Sequence, residues 1–137
     1  MKNRFVVCYV DGASRGNPGP SGIGVSIQDD KNNVIKEIKE YIGLKTNNVA
    51  EYIAVIRALK ELKKMKISNG IINLDSELVV NQINGIYRTK DNVLRDLLLQ
   101  IKEIEKEFSS IKYNYIPRNK NKVADKLANI AINLQGY

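Results

Sequence analysis

The chain has 137 residues, 22 Lys and Arg against 15 Asp and Glu for a net charge of +7, one Cys, no His and no Trp. Its length suits one domain spanning residues 1–137, with roughly two-thirds of the unfolded chain's surface buried on folding, and 43% hydrophobic residues are those of a globular chain. A lone Cys8 excludes an internal disulfide and a cysteine-cluster metal site, and the missing His excludes Ser-His and Cys-His triads, the usual zinc sites and imidazole acid–base chemistry.

Met1-Lys2-Asn3-Arg4-Phe5 leads straight into a strand-like segment, with no apolar leader and no long apolar run anywhere. The expectation is a cytoplasmic, soluble monomer with no membrane partner. The positive balance points to a polyanionic partner.

Residues 4–11 are almost continuously apolar, as in a central strand buried on both faces. Residues 12–20 (GASRGNPGP) are dense in turn formers and read as loop. Residues 22–28 alternate, with Ile23, Val25 and Ile27 on one face, a half-buried strand. A turn at 30–33 and a strand at 34–42 complete an antiparallel meander. The period then changes. Val49, Ile53, Ile56, Leu59 and Leu62 mark an amphipathic helix with Thr46 or Asn47 as N-cap, and Asn69-Gly70 ends the connection after it. A short strand at 71–75 and a short helix at 76–84 ended by Gly85 follow. Leu94, Leu97, Ile101, Ile104 and Phe108 make a helical stripe, 111–116 is the last strand, and Val123, Leu127, Ile130 and Leu134 lie along the last helix. The order βββ-α-β-α-α-β-α implies an α/β fold: a five-stranded mixed sheet covered by helices.

Four acids stand apart from the solvated charge on turns and polar helix faces. Asp11 and Asp75 end apolar strands, Glu51 lies in the first turns of the long helix, and Asp125 lies near the start of the last one. Strand ends in α/β sheets open onto ligand crevices, and oxygen-only ligands suit Mg²⁺ or Mn²⁺; four carboxylates suit two ions ~3.5–4 Å apart. The plainer alternative is a turn start at Asp11, helix capping by Asp75 and dipole-favouring acids at Glu51 and Asp125. The glycine-rich segment at 12–24 is neither a dinucleotide fingerprint, since a strand rather than a helix follows, nor a Walker loop, since no Gly-Lys-Ser/Thr occurs.

Four segments together resemble ribonuclease H of type 1. Residues 11–20 (DGASRGNPGP) match its DG(S/A)xxxNPGP opening, 46–52 (TNNVAEY) its TNNxxE segment, 75–79 (DSELV) its DS(Q/E)xV segment, and 117–125 (PRNKNKVAD) its PRxxNxxAD segment. The resemblance covers nearly the whole chain. It implies the ribonuclease H-like fold, with helices on both sheet faces, and Asp11, Glu51, Asp75 and Asp125 as catalytic, metal-binding carboxylates. It also implies two Mg²⁺ ions, with Mn²⁺ as substitute, one activating water and the other stabilising the leaving 3′-oxygen. The implied reaction is endonucleolytic cleavage of the RNA strand of an RNA/DNA hybrid, leaving 5′-phosphate and 3′-hydroxyl ends.

By the same resemblance, the backbone of Gly12, Ala13 and Ser14, with the side chains of Asn17 and Glu77, reads the 2′-hydroxyl. Asn47 and Asn48 form a minor-groove pair, helix capping being their plainer role, and Thr46 belongs to a DNA-phosphate pocket. Better-known bacterial enzymes carry a His in the loop before the last carboxylate. Here residues 118–121 read RNKN, and Arg118 is the substitute phosphate contact, or a solvated Arg. Those enzymes also carry a Lys-rich extra helix, whereas residues 85–92 here offer only Arg88 and Lys90, with Tyr87 stacking or packing. The pattern resembles the short, handle-less archaeal and bacterial subgroup, with no separate hybrid-binding domain before Phe5. The alternatives are a retroelement-type domain, a relative that cuts double-stranded RNA, and a non-catalytic nucleic-acid-binding module on the same fold. Setting the four acids aside leaves 22 basic residues against 11 acidic ones. The net charge thus averages a small acidic site and a basic surround.

Overall fold

The computed structural model describes residues 4–137, so the reading of residues 1–3 as free of a leader lies outside the described residues. β1 (Phe5–Ser14), β2 (Gly19–Gln28) and β3 (Val34–Lys45) form the antiparallel meander. α1 (Asn47–Lys64) leads into β4 (Asn69–Leu74), then α2 (Glu77–Ile83) and α3 (Asn92–Glu105). β5 (Ser110–Tyr115), a 3₁₀ turn at Arg118–Lys120 and α4 (Lys122–Asn133) complete the chain. The sheet order is β3-β2-β1-β4-β5, with β4 parallel to both β1 and β5. The expected mixed sheet with helices on both faces is what the chain builds: α1 packs on β1 and β2, α3 packs on α1, and α4 lies on the opposite face.

On the α1 side, Val6, Cys8, Val10, Ile72 and Leu74 from the sheet meet Tyr52, Val55, Leu59 and Leu62 from α1, all fully buried. Each fully buried Leu, Ile or Val contributes about 1.5–3 kcal/mol of transfer free energy, so this face supplies most of the hydrophobic stabilisation. The Thr46 hydroxyl accepts the Val49 N–H at the head of α1 (3.3 Å), so Thr46 rather than Asn47 is the N-cap.

Several expectations are corrected. The loop read over 12–20 shrinks to residues 15–18, because Gly12–Ser14 continue β1 and Gly19-Pro20 begin β2. Asp11 therefore sits inside β1, opposite Gly24, rather than at its end. Asn69 and Gly70 open β4 instead of belonging to the connection, and α3 ends at Glu105, before Phe108.

The half-buried β2 is in fact buried on both faces. A Cβ on Gly24 would lie 2.1 Å from the Ala124 carbonyl oxygen, and one on Gly22 would lie 2.4 Å from that of Ala128. These bare positions let α4 settle directly onto the strand. The packing face of α4 is accordingly Ala124, Leu127, Ala128, Ala131 and Ile132, whereas Val123 and Leu134 of the expected stripe are exposed. Small residues meeting small residues gave no hydrophobic period to read. Gly24→Ala should cost about 1–3 kcal/mol by overpacking against helix backbone. Gly70→Ala, whose nearest new neighbour is a Val6 methyl at 3.1 Å, should cost less, and denaturant midpoints compare the two.

Candidate active site

β1 and β4 are parallel neighbours, so Asp11 on β1 and Asp75, the residue after β4, come to the same end of the sheet. Glu51 reaches them from α1 and Asp125 from α4, on opposite faces. The four acids line one open cleft of about 390 Å³ with Gly12, Ala13, Ser14, Asn47 and Arg118. Oxygens of Asp11, Glu51 and Asp75 lie within 4.8 Å of one another; among the described residues this is the acid group that could hold a metal ion. Asp125 lies outside that trio but beside it, close enough to Asp11 for a hydrogen bond between carboxyls.

Glu51 is placed by backbone contact. A Cβ on Gly12 would fall 2.2 Å from the Ala50 carbonyl carbon, so only glycine lets α1 approach β1 this closely. The Gly12 N–H then donates to Glu51 Oε1 at 3.1 Å. Glu51 is 2% exposed and Asp11 5%, and Glu51 Oε2 is buried with no hydrogen-bond partner. Burial, then the Glu51 charge, and further Asp75 and hydrogen bonds to Glu51 and Asp125, push the Asp11 carboxyl far above the usual carboxylate range. Burial also raises Glu51, against the hydrogen bonds from Asp11 and Gly12 and the field of Arg118. Asp75 rises for the same first reason, offset by a hydrogen bond from Asn121 and by Arg118.

The residues expected to contact substrate divide. Gly12, Ala13, Ser14 and Arg118 line the carboxylate cleft, while Asn17, Thr46 and Asn48 line a second cavity of about 480 Å³ with Asp91. Asn47 lines both. Asn17 Oδ1 accepts the Asn47 N–H (3.1 Å), and the Ser14 hydroxyl donates to the Lys45 carbonyl (2.8 Å), so both side chains also fasten the local backbone. Glu77 is exposed in the first turn of α2 and lines neither cavity. Ser76, not Asp75, caps α2, its hydroxyl accepting the Val79 N–H.

Three residues beside the acids escaped the sequence reading as individual groups, Ser76 and Asn129 in the cleft and Asn121 in a separate pocket next to it. Ser76 lines the cleft beside Asp75. Asn121 is 1% exposed and donates through Nδ2 to the Val10 carbonyl (2.8 Å) and to Asp75 Oδ2 (3.2 Å). Asn129 Nδ2 donates to the Asp125 carbonyl (2.9 Å) and Oδ1 (3.3 Å). The signals were there: Asn121 is the central amide of the 117–125 segment, and Asn129 stands one helical turn after Asp125.

A hard divalent cation fits this donor set: clustered carboxylate oxygens, one of them buried without a partner, whose mutual repulsion a cation relieves.

An α/β domain with an acidic cleft at the ends of its central parallel strands is the class that fold and site define. A family model described as reverse transcriptase-like matches residues 9–131. The bifunctional protein Rv2228c of Mycobacterium tuberculosis is 41% identical over 93% of this chain, and the match covers 35% of that protein. The chain thus spans about a third of that relative's length. The ribonuclease H of Wigglesworthia glossinidia brevipalpis is 35% identical over 90% of this chain and 82% of its own length. The solved structure of LC11-RNase H1 in complex with RNA/DNA hybrid is 42% identical, with a TM-score of 0.92 over 96% of this chain and 99% of that one. The chain belongs to the ribonuclease H family, and within it to type HI.

The carboxyl cluster has a consequence for stability. Asp11 titrates higher when folded than when unfolded, so the folded state holds the extra proton. Its contribution is complete below the unfolded value and is lost as pH rises toward the folded one. In EDTA, the unfolding free energy from denaturant titration should fall from pH 5 to pH 8, by up to about 1.4 kcal/mol per pH unit for each retained proton. Asp11→Asn should flatten that slope and make the metal-free protein the more stable of the two at pH 8.

Proposed function

We propose that residues 1–137 form one ribonuclease H catalytic domain that hydrolyses the RNA strand of RNA/DNA hybrids endonucleolytically, leaving 5′-phosphate and 3′-hydroxyl ends. The observation that carries this reading is the trio of Asp11, Glu51 and Asp75 oxygens within 4.8 Å of one another. It is supported by the similar LC11-RNase H1, solved with an RNA/DNA hybrid. Asp11, Glu51, Asp75 and Asp125 are the catalytic, metal-holding carboxylates, for two Mg²⁺ ions with Mn²⁺ as substitute. When bound, the ions supply acidity to the attacking water and offset charge on the phosphate and the leaving 3′-oxygen.

The chain's own groups prepare the site. The Gly12 N–H fixes one Glu51 oxygen and leaves the other without a protein partner, Asn121 holds Asp75, and Asn129 holds Asp125. These bonds set carboxylate orientation in advance, which is how outer groups tune metal affinity. Arg118, in the cleft lining, is proposed as a phosphate clamp, its planar guanidinium offering several donors to phosphate oxygens.

The backbone along Gly12, Ala13 and Ser14 is proposed to read the 2′-hydroxyl, with Glu77 approaching from the rim beside Ser76. Asn17, Thr46, Asn47 and Asn48 are proposed to hold the DNA strand in the adjoining cavity. All four acids come from one chain, so a monomer suffices. Among the described residues no helix is long and apolar enough to cross a membrane. Buried, unpaired Cys8 suits a reducing cytoplasm.

Labelled hybrid, RNA duplex and DNA duplex, each with Mg²⁺ or Mn²⁺, test the reading. Cutting is expected on the RNA strand of the hybrid and to stop in EDTA. Asp11→Asn, Glu51→Gln and Asp75→Asn should each lower the rate about 10²-fold or more. Cleavage that survives EDTA or Asp11→Asn overturns the proposal. Asn121→Ala, which frees Asp75, should raise the Mg²⁺ concentration for half-maximal rate by roughly tenfold or more.

A further inference from the structure

α4 covers β2 with its neighbours β1 and β3, and does not extend over β4 and β5. Among the described residues, half of that sheet face therefore has no helix over it. Strand alternation identifies what it displays. On β1, Val6, Cys8 and Val10 point into the core, which turns Phe5, Val7 and Tyr9 to the open side; Phe5 is 43% exposed. On β4, Ile72 and Leu74 are core, leaving Asn69 and Ile71 half-buried on the open side, while Asn73, 6% exposed, accepts a hydrogen bond at Oδ1 from Asn114 Nδ2 (3.1 Å). On β5, Tyr113 is core, leaving exposed Ser110, Lys112 and Asn114. The register places these rows side by side: Phe5 with Asn69 and Ser110, Val7 with Ile71 and Lys112, Tyr9 with Asn73 and Asn114.

At the upper end of the face, Tyr9 joins Gln28, Asn119, Lys120, Asn121 and Lys122 around a separate pocket of about 240 Å³. The buried Asn121 has no hydrogen-bond partner at Oδ1, while its Nδ2 holds Asp75. The next positions in the alternation are Asp11 on β1 and Asp75 after β4, so the face runs toward the carboxylate cleft.

Aromatic rings, amides and Lys112, Lys120 and Lys122, with no carboxylate in the three rows, make a surface complementary to one class of partner. Every nucleobase has a π-face to lay on a ring, amides meet base edges with donors and acceptors, and lysines meet phosphates. A duplex cannot use such a platform, since its bases are already stacked. We propose that this open half-face and its pocket bind single-stranded nucleic acid, with a base stacked on Tyr9 and phosphates held by Lys112, Lys120 and Lys122. For a hybrid with a single-stranded RNA overhang, it is a second contact surface beyond the cleft.

Fluorescence anisotropy with a short single-stranded RNA, in EDTA so that no cleavage or metal is involved, tests this independently of whether hybrid is cut. Tyr9→Leu should weaken binding about tenfold, and Tyr9→Phe, which keeps the ring, should restore it. Lys112→Gln, an exposed change that leaves packing alone, should reduce the slope of log affinity against log salt by about 0.7. A hybrid with an RNA overhang should bind wild type more tightly than a blunt one. Tyr9→Leu should remove that gain and leave blunt-hybrid affinity unchanged. If Tyr9→Leu and Lys112→Gln bind single strands with wild-type affinity and salt slope, the proposal fails. It fails equally if Asn47→Ala abolishes single-strand binding while both face variants retain it, because the strand then lies in the cleft.

Discussion

The approach of α1 to β1 at Gly12 is the contact on which the site depends. A helix ordinarily stays clear of a sheet by the thickness of its side chains. Here a missing Cβ lets the Ala50 carbonyl sit where one would otherwise be, and Glu51 is drawn to the strand backbone beside Asp11. Two carboxyls are thereby buried almost completely, an arrangement that burial and like charge both oppose. The apolar packing of α1 over β1 and β2 holds it in place. The fold thus stores, in metal-free form, a repulsion that a divalent cation relieves, which couples ion binding to stability as well as to chemistry.

The two sheet faces solve the packing problem differently, and the difference shapes the surface. The α1 face is closed with large residues, whereas the α4 face is closed by alanines on glycines. Because α4 lies that near β2, it brings Asp125 and Asn129 to the cleft. It also leaves β4 and β5 bare on that side. One helix placement accounts for both the fourth carboxylate and the open half-face.

The positive charge has no single handle. Arg118 lines the cleft, Lys120 and Lys122 line the pocket behind it, and Arg88, Lys90 and Arg95 line a further groove between α2 and α3. Asp91, which caps α3 through the Leu94 N–H, places an acid in the cavity of Thr46, Asn47 and Asn48. A distributed basic surround of this kind favours salt-sensitive, sequence-tolerant binding to a phosphate backbone.

The sequence by itself determined the element order and the large-residue core face, and set four acids apart from the solvated charge. Those features are written in local periods, in capping residues such as Thr46, and in short ordered segments. Tertiary structure alone decided how the acids group. Asp11, Glu51 and Asp75 converge because β1 and β4 are parallel neighbours and Gly12 admits α1, while Asp125 stands one step aside. It also decided that Asn121 and Asn129 support the acids, that Glu77 is exposed and lines neither cavity, and that residues 12–14 and 19–20 are strand. Glycines and amides carry no hydrophobic period, and their roles come from which backbone lies against them, a relation between distant segments that spacing along one chain does not encode.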